Sequence, residues 1–220
     1  MPQLRKTKAF LSLIWGGIII PLNSMGPEWK LTSFPKIKPN KVSFSDQGLS
    51  IEVAQSSSPI FYKFNRGVQV TGFSVEGTLT GLPEINRLRE GIDENDDFAF
   101  RLGFIETDND PPNWINRLFM ADWINELLAQ FPNQGLNKVR FFTVSQIKNP
   151  GTFRIHPKNE LVEETVVLKK EQPGRFKIDH KLKEPIPSVA IWIQPDGDGS
   201  KSHFNLMIHH LGILTEGKEP

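Results

Sequence analysis

Residues 98–105 read FAFRLGFI, and this stretch decides the fold class because large apolar residues alternate in it with smaller or charged ones. Its phenylalanines and its leucine fall at every second position, which places them on one face of a β-strand. Arg101 lies mid-stretch on the opposite face. The pattern predicts a strand with one buried face. If the opposite face is exposed to solvent, Arg101 is an ordinary surface residue. If that face is covered, the guanidinium is buried and needs a charged or polar partner.

The same period of two recurs along most of the chain. It is found at residues 42–45, 49–53, 60–64, 73–80, 139–144, 164–168, 176–179, 189–194 and 204–213. About ten strands of this kind, without a repeat of solenoid or propeller length, are typical of a two-sheet β-sandwich. We therefore predict an all-β fold of the jelly-roll type.

One segment, residues 111–130, departs from this alternation and has helical spacing instead. Asp110 can cap its N-terminus, Pro111 suits the first helical position, and Phe131-Pro132 ends it. Apolar residues at steps of three and four predict one amphipathic helix inserted into the sandwich. The helix would pack across one end or face of the sheets, or it would act as a lid over a ligand site.

The first 25 residues have the layout of a secretory leader. Arg5, Lys6 and Lys8 precede an apolar run over 9–20 that contains no charged residue, and a helix-breaking segment with small residues follows. Because the run is too short to span a bilayer comfortably, we interpret residues 1–25 as a signal peptide. The alternative is an uncleaved anchor or a buried N-terminal helix. The predicted localisation is an exported one, in a bacterial periplasm or in the extracellular space.

The rest of the chain is predicted to form one domain over residues 27–216, with a flexible tail over 217–220. Without the three basic residues of the leader, 23 basic residues stand against 25 acidic ones. Nucleic-acid binders concentrate positive charge, so no nucleic-acid partner is expected, nor is a stable membrane span after leader cleavage. The chain contains no cysteine. This excludes disulfides, thiol catalysis and cysteine-ligated metals.

The segment QPDGDGS at residues 194–200 suggests a calcium loop. Asp196, Asp198 and Ser200 stand at alternate positions with glycines between them, and such a spacing can bring oxygen atoms together on a hard cation. Met207 occupies the twelfth position, where an EF-hand has its bidentate glutamate, so the segment is not an EF-hand loop. The alternative is a tight turn whose aspartates cap backbone amides. The cofactor prediction is therefore either none or Ca²⁺.

Four residues are candidates for ligand binding. Trp192 shares a strand face with Gln194, so the indole could stack on a sugar ring while the amide binds hydroxyl groups. Arg101 offers a planar fork for a carboxylate or for hydroxyls. Asp97, or its neighbour Asp96, would lie beside Arg101 at the rim of the binding face. The alternative is that Trp192 fills the core and that the acidic residues are solvated.

No catalytic residue can be named from the sequence. It has no nucleophile elbow, Walker loop or dinucleotide fingerprint, and its clearest strands hold isolated acids, Glu52 and Glu76, rather than the pair that a glycosidase needs. We therefore expect an exported, non-catalytic binding protein for a carbohydrate or another cell-envelope ligand. Two alternatives stay open. One is a polysaccharide-active lyase or hydrolase, and the other is an envelope structural or assembly partner that uses the helix face from Trp114 to Leu128.

Two parts of the sequence carry a resemblance. They are DDFAFRL at 96–102, and AIWI at 190–193 with DGD at 196–198 and residues 202–208 after it. Together they cover under a fifth of the chain. In these parts the chain resembles exported bacterial proteins with a galactose-binding-like or concanavalin-like jelly roll. The resemblance implies a sandwich and export, and it implies no activity.

Overall fold

The computed structural model describes residues 16–108, 125, 129, 131, 134–157 and 159–216. These residues form eleven β-strands, β1 to β11 in chain order, and two short 3₁₀ turns at Arg87–Arg89 and Asp93–Asn95. The strands are Gly16–Ile19, Trp29–Leu31, Lys41–Ser45, Gly48–Ala54, Ile60–Thr80, Arg101–Asp108, Gly135–Ser145, Phe153–His156, Asn159–Lys169, Gly174–Ile193 and His203–Thr215. In this part of the chain, no helix is both long and apolar enough to cross a membrane.

The strands form one continuous sheet in the order β3-β4-β11-β5-β10-β6-β7-β9-β8, with β1 beside β11 and β2 beside β5. All pairs are antiparallel except β7 and β9. The all-β class is thus confirmed, but the prediction of two separate sheets is not. Segments that were predicted as separate strands, 60–64 and 73–80 in one case and 176–179 and 189–194 in the other, are parts of the single long strands β5 and β10, which extend over 21 and 20 residues.

These two long strands connect two layers of the sheet. Residues 72–79 of β5 pair with 174–181 of β10, and residues 60–63 pair with 190–193, with shifts of register between the two stretches. We call the first of these stretches, residues 72–79 and 174–181, together with strands β1, β3, β4 and β11, the first layer. The second layer consists of β2, β6, β7, β8 and β9 with residues 60–63 and 190–193.

The apolar core lies between the layers. Phe73 of the first layer contacts Phe142 and Phe104 of the second layer, with ring centroids 5.1 and 5.8 Å apart, although these strands are not neighbours in the sheet. Phe100 and Phe176 make a similar contact at 5.8 Å. The sheet is therefore folded over on itself, which is consistent with a sandwich. Residues that the alternation assigned to the core, such as Leu102, are fully buried.

The middle of the second layer, around β6, is buried on both faces, unlike the predicted strands with one buried face. In β6, Arg101 to Ile105 are all buried. The outer face of this layer carries a second apolar cluster that includes Ile105, Phe141 and Trp192, and Phe34 from the β2–β3 connection packs against it. Alternation between apolar and polar residues cannot reveal such a covering, because the covering residues come from distant parts of the chain.

Part of the predicted leader packs on the domain. Strand β1 pairs with residues 212–215 of β11, and Ile20 and Leu22 are buried in the core. The Trp29 indole donates a hydrogen bond to the carbonyl of Pro21 at 3.0 Å. The domain thus begins structurally before residue 27, while the leader itself stays a prediction, since residues 1–15 lie outside the described part.

The predicted helix over 111–130 falls almost wholly outside the described residues. Only Asn125 and Ala129 of this range are described, so no helix with a defined start and end can be assigned there. The inserted helix is therefore not supported and stays a prediction, and the helix face from Trp114 to Leu128 likewise lies outside the described chain, apart from Asn125.

Candidate functional site

A cavity of about 400 Å³ lies on the outer face of the second layer. Its aromatic lining consists of Phe34, Phe141 and Trp192. Its charged and amide lining comes from β6, β8, β9, the end of β10 and the loops beside them, namely Asp96, Arg101, His156, Asn159, Glu164, Gln194 and Asp196. One cavity therefore combines ring faces with many hydrogen-bonding groups.

Sheet register explains how the aromatic part forms. Trp192 pairs with Gly103, Gly103 with Phe141, and Phe141 with Glu164, so these residues form one row across four strands. A Cβ atom on Gly103 would lie 2.7 Å from Cε1 of Phe141. The missing side chain thus lets the Phe141 ring lie over β6 and reach Trp192, at a centroid distance of 5.1 Å.

Trp192 forms the floor of the cavity rather than an open platform. It is only 3% exposed, and it packs against Phe61 at a centroid distance of 5.2 Å as well as against Phe141. A ligand could therefore reach at most an edge of the indole without rearrangement. Phe34 is half-buried, whereas Phe141 and Trp192 are buried, so Phe34 is the most accessible of the three aromatic rings of the cavity.

Arg101 is the charged centre of the site and is buried, with 7% of its side chain exposed. Its guanidinium lies 3.2 Å from Asp96, 3.4 Å from Asp196 and 3.7 Å from Glu164. Burial works to lower the pKa of Arg101, but these carboxylates outweigh it and raise the pKa, so the residue stays charged. Arg101 Nε is buried and has no hydrogen-bond partner among the described residues.

Asp96 connects Arg101 to strand β8. It accepts a hydrogen bond from Arg154 at 2.6 Å and bonds to Nε2 of His156 at 2.9 Å. Burial works to raise the pKa of Asp96, but Arg101, His156 and Arg154 outweigh it and hold the pKa well below its usual range. Asp96 is therefore ionised in the folded protein at neutral pH.

Two guanidinium groups lie near the ring of Phe98. Arg101 lies 4.5 Å and Arg154 lies 5.7 Å from its centroid. Arg154 also binds Glu164, which ties β8 to β9 at the edge of the cavity. The cation–π contacts and the shared carboxylates fix both guanidinium groups in place.

The loop after β10 supplies Gln194 and Asp196. Gln194 donates hydrogen bonds to Asp196 Oδ2 at 3.2 Å and to Ser57 Oγ at 3.0 Å. Burial raises the pKa of Asp196, and the adjacent carboxyl of Asp198 raises it further, while Arg101 opposes both. Asp196 and Asp96 thus have pKa values shifted in opposite directions within one cavity.

The structure brings the predicted site residues close together in two neighbouring groups. Trp192, Arg101 and Gln194 line the cavity, and so does Asp196, which was predicted as a metal ligand. Within the described part of the chain, Arg101 forms an ion pair with Asp96 and none with Asp97. Asp97 instead accepts two hydrogen bonds from Ser200, and Asp198 lies beside this pair.

Four further residues of the cavity were not predicted from the sequence: Glu164, His156, Phe141 and Phe34. Glu164 had a detectable signal, because it stands between Val162 and Val166 on one strand face, much as Arg101 stands among apolar neighbours. The other three had no such signal. Only the pairing of β7, β8 and β9 places His156 and Phe141 in the cavity.

The sequence matches no protein-family model and no curated protein. Among solved structures it is similar to the xylan-binding module CBM15, with a TM-score of 0.39 and 8% identity over 93% of this chain and 99% of that chain. It is also similar to a mutant of the CBM29-2 module complexed with cellulohexaose, with a TM-score of 0.40 and 8% identity over 90% and 89% of the two chains. TM-scores this low do not establish a shared fold, so no ligand follows from them.

Proposed function

We propose that this protein binds a carbohydrate in the cavity of the second layer, without catalysing a reaction. The observation that carries the proposal is the burial of Arg101, Glu164 and Asp196 directly beside Phe141 and Trp192. Burying charges costs free energy that apolar residues would avoid, so a cluster of this kind in a cavity is a candidate binding site.

The hydrogen-bonding groups suit hydroxyl groups. A hydroxyl both donates and accepts, and the cavity lining offers carboxylates as acceptors and the amide of Asn159 as a donor. The half-buried ring of Phe34 can pack on the apolar face of a sugar ring.

The charge balance favours a neutral sugar. Three carboxylates, of Asp96, Glu164 and Asp196, meet the two guanidinium groups of Arg101 and Arg154, and both are already engaged in ion pairs. A further carboxylate or sulfate on the ligand would have to compete with these carboxylates for the two guanidinium groups. We therefore expect neutral oligosaccharides to bind more tightly than uronic-acid or sulfated ones.

We further propose that the protein acts outside the cytosol, because its first 25 residues have the layout of a leader. The test is fractionation followed by mass determination of the N-terminus. Cleavage after residue 25 would remove β1 together with Ile20 and Leu22, which are buried in the fold. Recovery of a protein that begins at residue 26 would therefore contradict a structural role for this segment, and recovery in the cytosol would contradict export.

The binding test is a glycan array of neutral, uronic-acid and sulfated oligosaccharides, followed by calorimetry with the tightest ligand. Phe34→Ala should weaken binding roughly tenfold or more, because it removes a large apolar contact. Asn159→Ala, which removes a half-buried amide of the lining, should also weaken binding.

Phe153→Ala is the matched control for the aromatic variant. Phe153 is 57% exposed and is not among the residues that line the cavity, so its loss should leave the affinity unchanged. Equal losses in Phe34→Ala and Phe153→Ala, or no binding to any sugar, would contradict the proposal. Shortened products in the same incubations would favour the enzyme alternative instead.

A further inference from the structure

Next to the cavity, three carboxyl groups from two loops lie together. Asp97 precedes β6, and Asp196 and Asp198 follow β10; one oxygen from each lies within 4.8 Å of those of the other two. The ion pairs of the described residues include none with Asp97 or Asp198, and the Arg101 that reaches Asp196 is shared with Asp96 and Glu164. Three negative charges are therefore close together with little compensation.

A second observation points to a missing positive partner. Asp196 is only 7% exposed, and its Oδ2 accepts the hydrogen bonds from Arg101 and Gln194. Its Oδ1 is buried and has no hydrogen-bond partner in the described part of the chain. An oxygen of Asp198 lies within 4.8 Å of an oxygen of Asp196, yet an ionised carboxylate offers it no donor. A buried acceptor beside a second acceptor needs a proton or a cation between them.

We propose that Asp97, Asp196 and Asp198 bind a divalent cation, for which Ca²⁺ is the best fit. The three carboxylates supply hard oxygen ligands, and no histidine or cysteine belongs to this cluster. Asp198 is half-buried, which gives the ion a path from solvent and leaves room for bound water. The flexible coordination of Ca²⁺ suits such a partly open set better than the strict octahedron of Mg²⁺.

The loop that carries the ligands is already held in position. The backbone amide of Asp196 donates to the carbonyl of Phe98 at 2.9 Å, and that of Ser200 donates to Asp97 at 2.6 Å. Gly199 packs so closely on the neighbouring turn that a Cβ atom there would lie 2.9 Å from the carbonyl oxygen of Glu94. These contacts place the two loops in register before any ion arrives. Cation binding would therefore lose little free energy in ordering them.

The test is the melting temperature of the full chain after EDTA treatment, with and without added CaCl₂ or MgCl₂, together with calorimetric titration of CaCl₂. At a Ca²⁺ concentration of about 100 times Kd, the Tm should rise by roughly 5 to 10 °C. Mg²⁺ should give a smaller rise at the same concentration. Calorimetry should show one site per chain.

Asp198→Asn should abolish most of the Ca²⁺ response and leave the metal-free Tm equal or higher, because it removes a charge beside Asp196. Asp179→Asn is the control, since Asp179 is an exposed carboxylate of the first layer; it should respond like the wild type. An unchanged Tm and no heat for the wild type would overturn the proposal and indicate a shared proton. A full Ca²⁺ response in Asp198→Asn would overturn it as well.

Discussion

The outer faces of the two layers carry charged residues in the same alternating pattern, but in opposite environments. On the first layer, Lys177 and Glu76 form an ion pair at 2.9 Å with 60% and 50% of their side chains exposed. On the second layer, Arg101 and Glu164 have 7% and 4% of their side chains exposed. The first pair is screened by water and contributes little, whereas the second group is desolvated and depends on its partners. Burial of charge, rather than charge itself, distinguishes the face for which we propose binding.

The largest expected effect comes from removing the charged centre of the second layer. Arg101→Met leaves the buried carboxylates of Glu164 and Asp196, and the half-buried one of Asp96, without their common partner, so the free energy of unfolding should fall by about 3–5 kcal/mol. Urea denaturation measures this change. Lys177→Met on the first layer is the control and should cause no measurable change. Similar losses in both variants would remove the distinction between the two faces.

The N-terminal segment provides a test of the first layer. Ile20 is 2% exposed in the core, so Ile20→Ala should lower the free energy of unfolding by about 2–5 kcal/mol. The measurement is urea denaturation of the full-length chain. Ile19→Ala is the matched control, since Ile19 is 65% exposed and should tolerate the change. If neither variant alters stability, the segment before residue 27 does not contribute to the fold.

Close packing across β6 should be sensitive to one methyl group. Gly103→Ala places a Cβ atom 2.7 Å from the Phe141 ring, which is itself held against Trp192. The ring must move, and overpacking of this kind costs about 1–3 kcal/mol. The same substitution at Gly67, where the nearest atom would lie 3.8 Å away, should cost less. Equal costs would show that the aromatic row of the cavity is loosely packed.

The smallest effect concerns His180, which contacts Phe73 and Phe142 between the layers. Burial lowers the pKa of His180, so the neutral ring is favoured in the folded state. As the pH falls below the unfolded pKa of about 6.5, the unfolded state gains protons first and stability declines. His180→Phe should therefore lose less stability than the wild type between about pH 7 and about pH 5. Urea denaturation at both pH values measures this, and parallel losses would contradict the expected titration.

Particular strands show what the sequence could predict. The inward residues of β6, such as Leu102 and Phe104, are where alternation places them. The joining of strands into β5 and β10 was not predictable, because Pro185 and Pro187 usually mark the end of a strand or its edge. In the structure these prolines lie near the shifts of register in β10, where the pairing is already interrupted.

The site was predictable only where a residue breaks the local pattern. Arg101 and Glu164 are charged at positions whose neighbours on the same face are apolar or small, and both are buried in the structure. The choice between Asp96 and Asp97 could not be made, because it depends on the 3₁₀ turn that precedes them. The pairing of β7 with β9, which brings Phe141 and Glu164 together, has no local signal because the two strands are parallel and separated by β8 in the sequence.

The most direct test of the binding site compares two buried tryptophans by NMR. Trp192 forms the floor of the proposed site, whereas Trp29 is 1% exposed and packs against Phe44 and Tyr62 in the main core. Titration of ¹⁵N-labelled protein with the tightest neutral oligosaccharide should shift the indole signal of Trp192 and leave that of Trp29 in place. Saturable binding that leaves Trp192 unchanged would contradict the assignment of the ligand to this cavity.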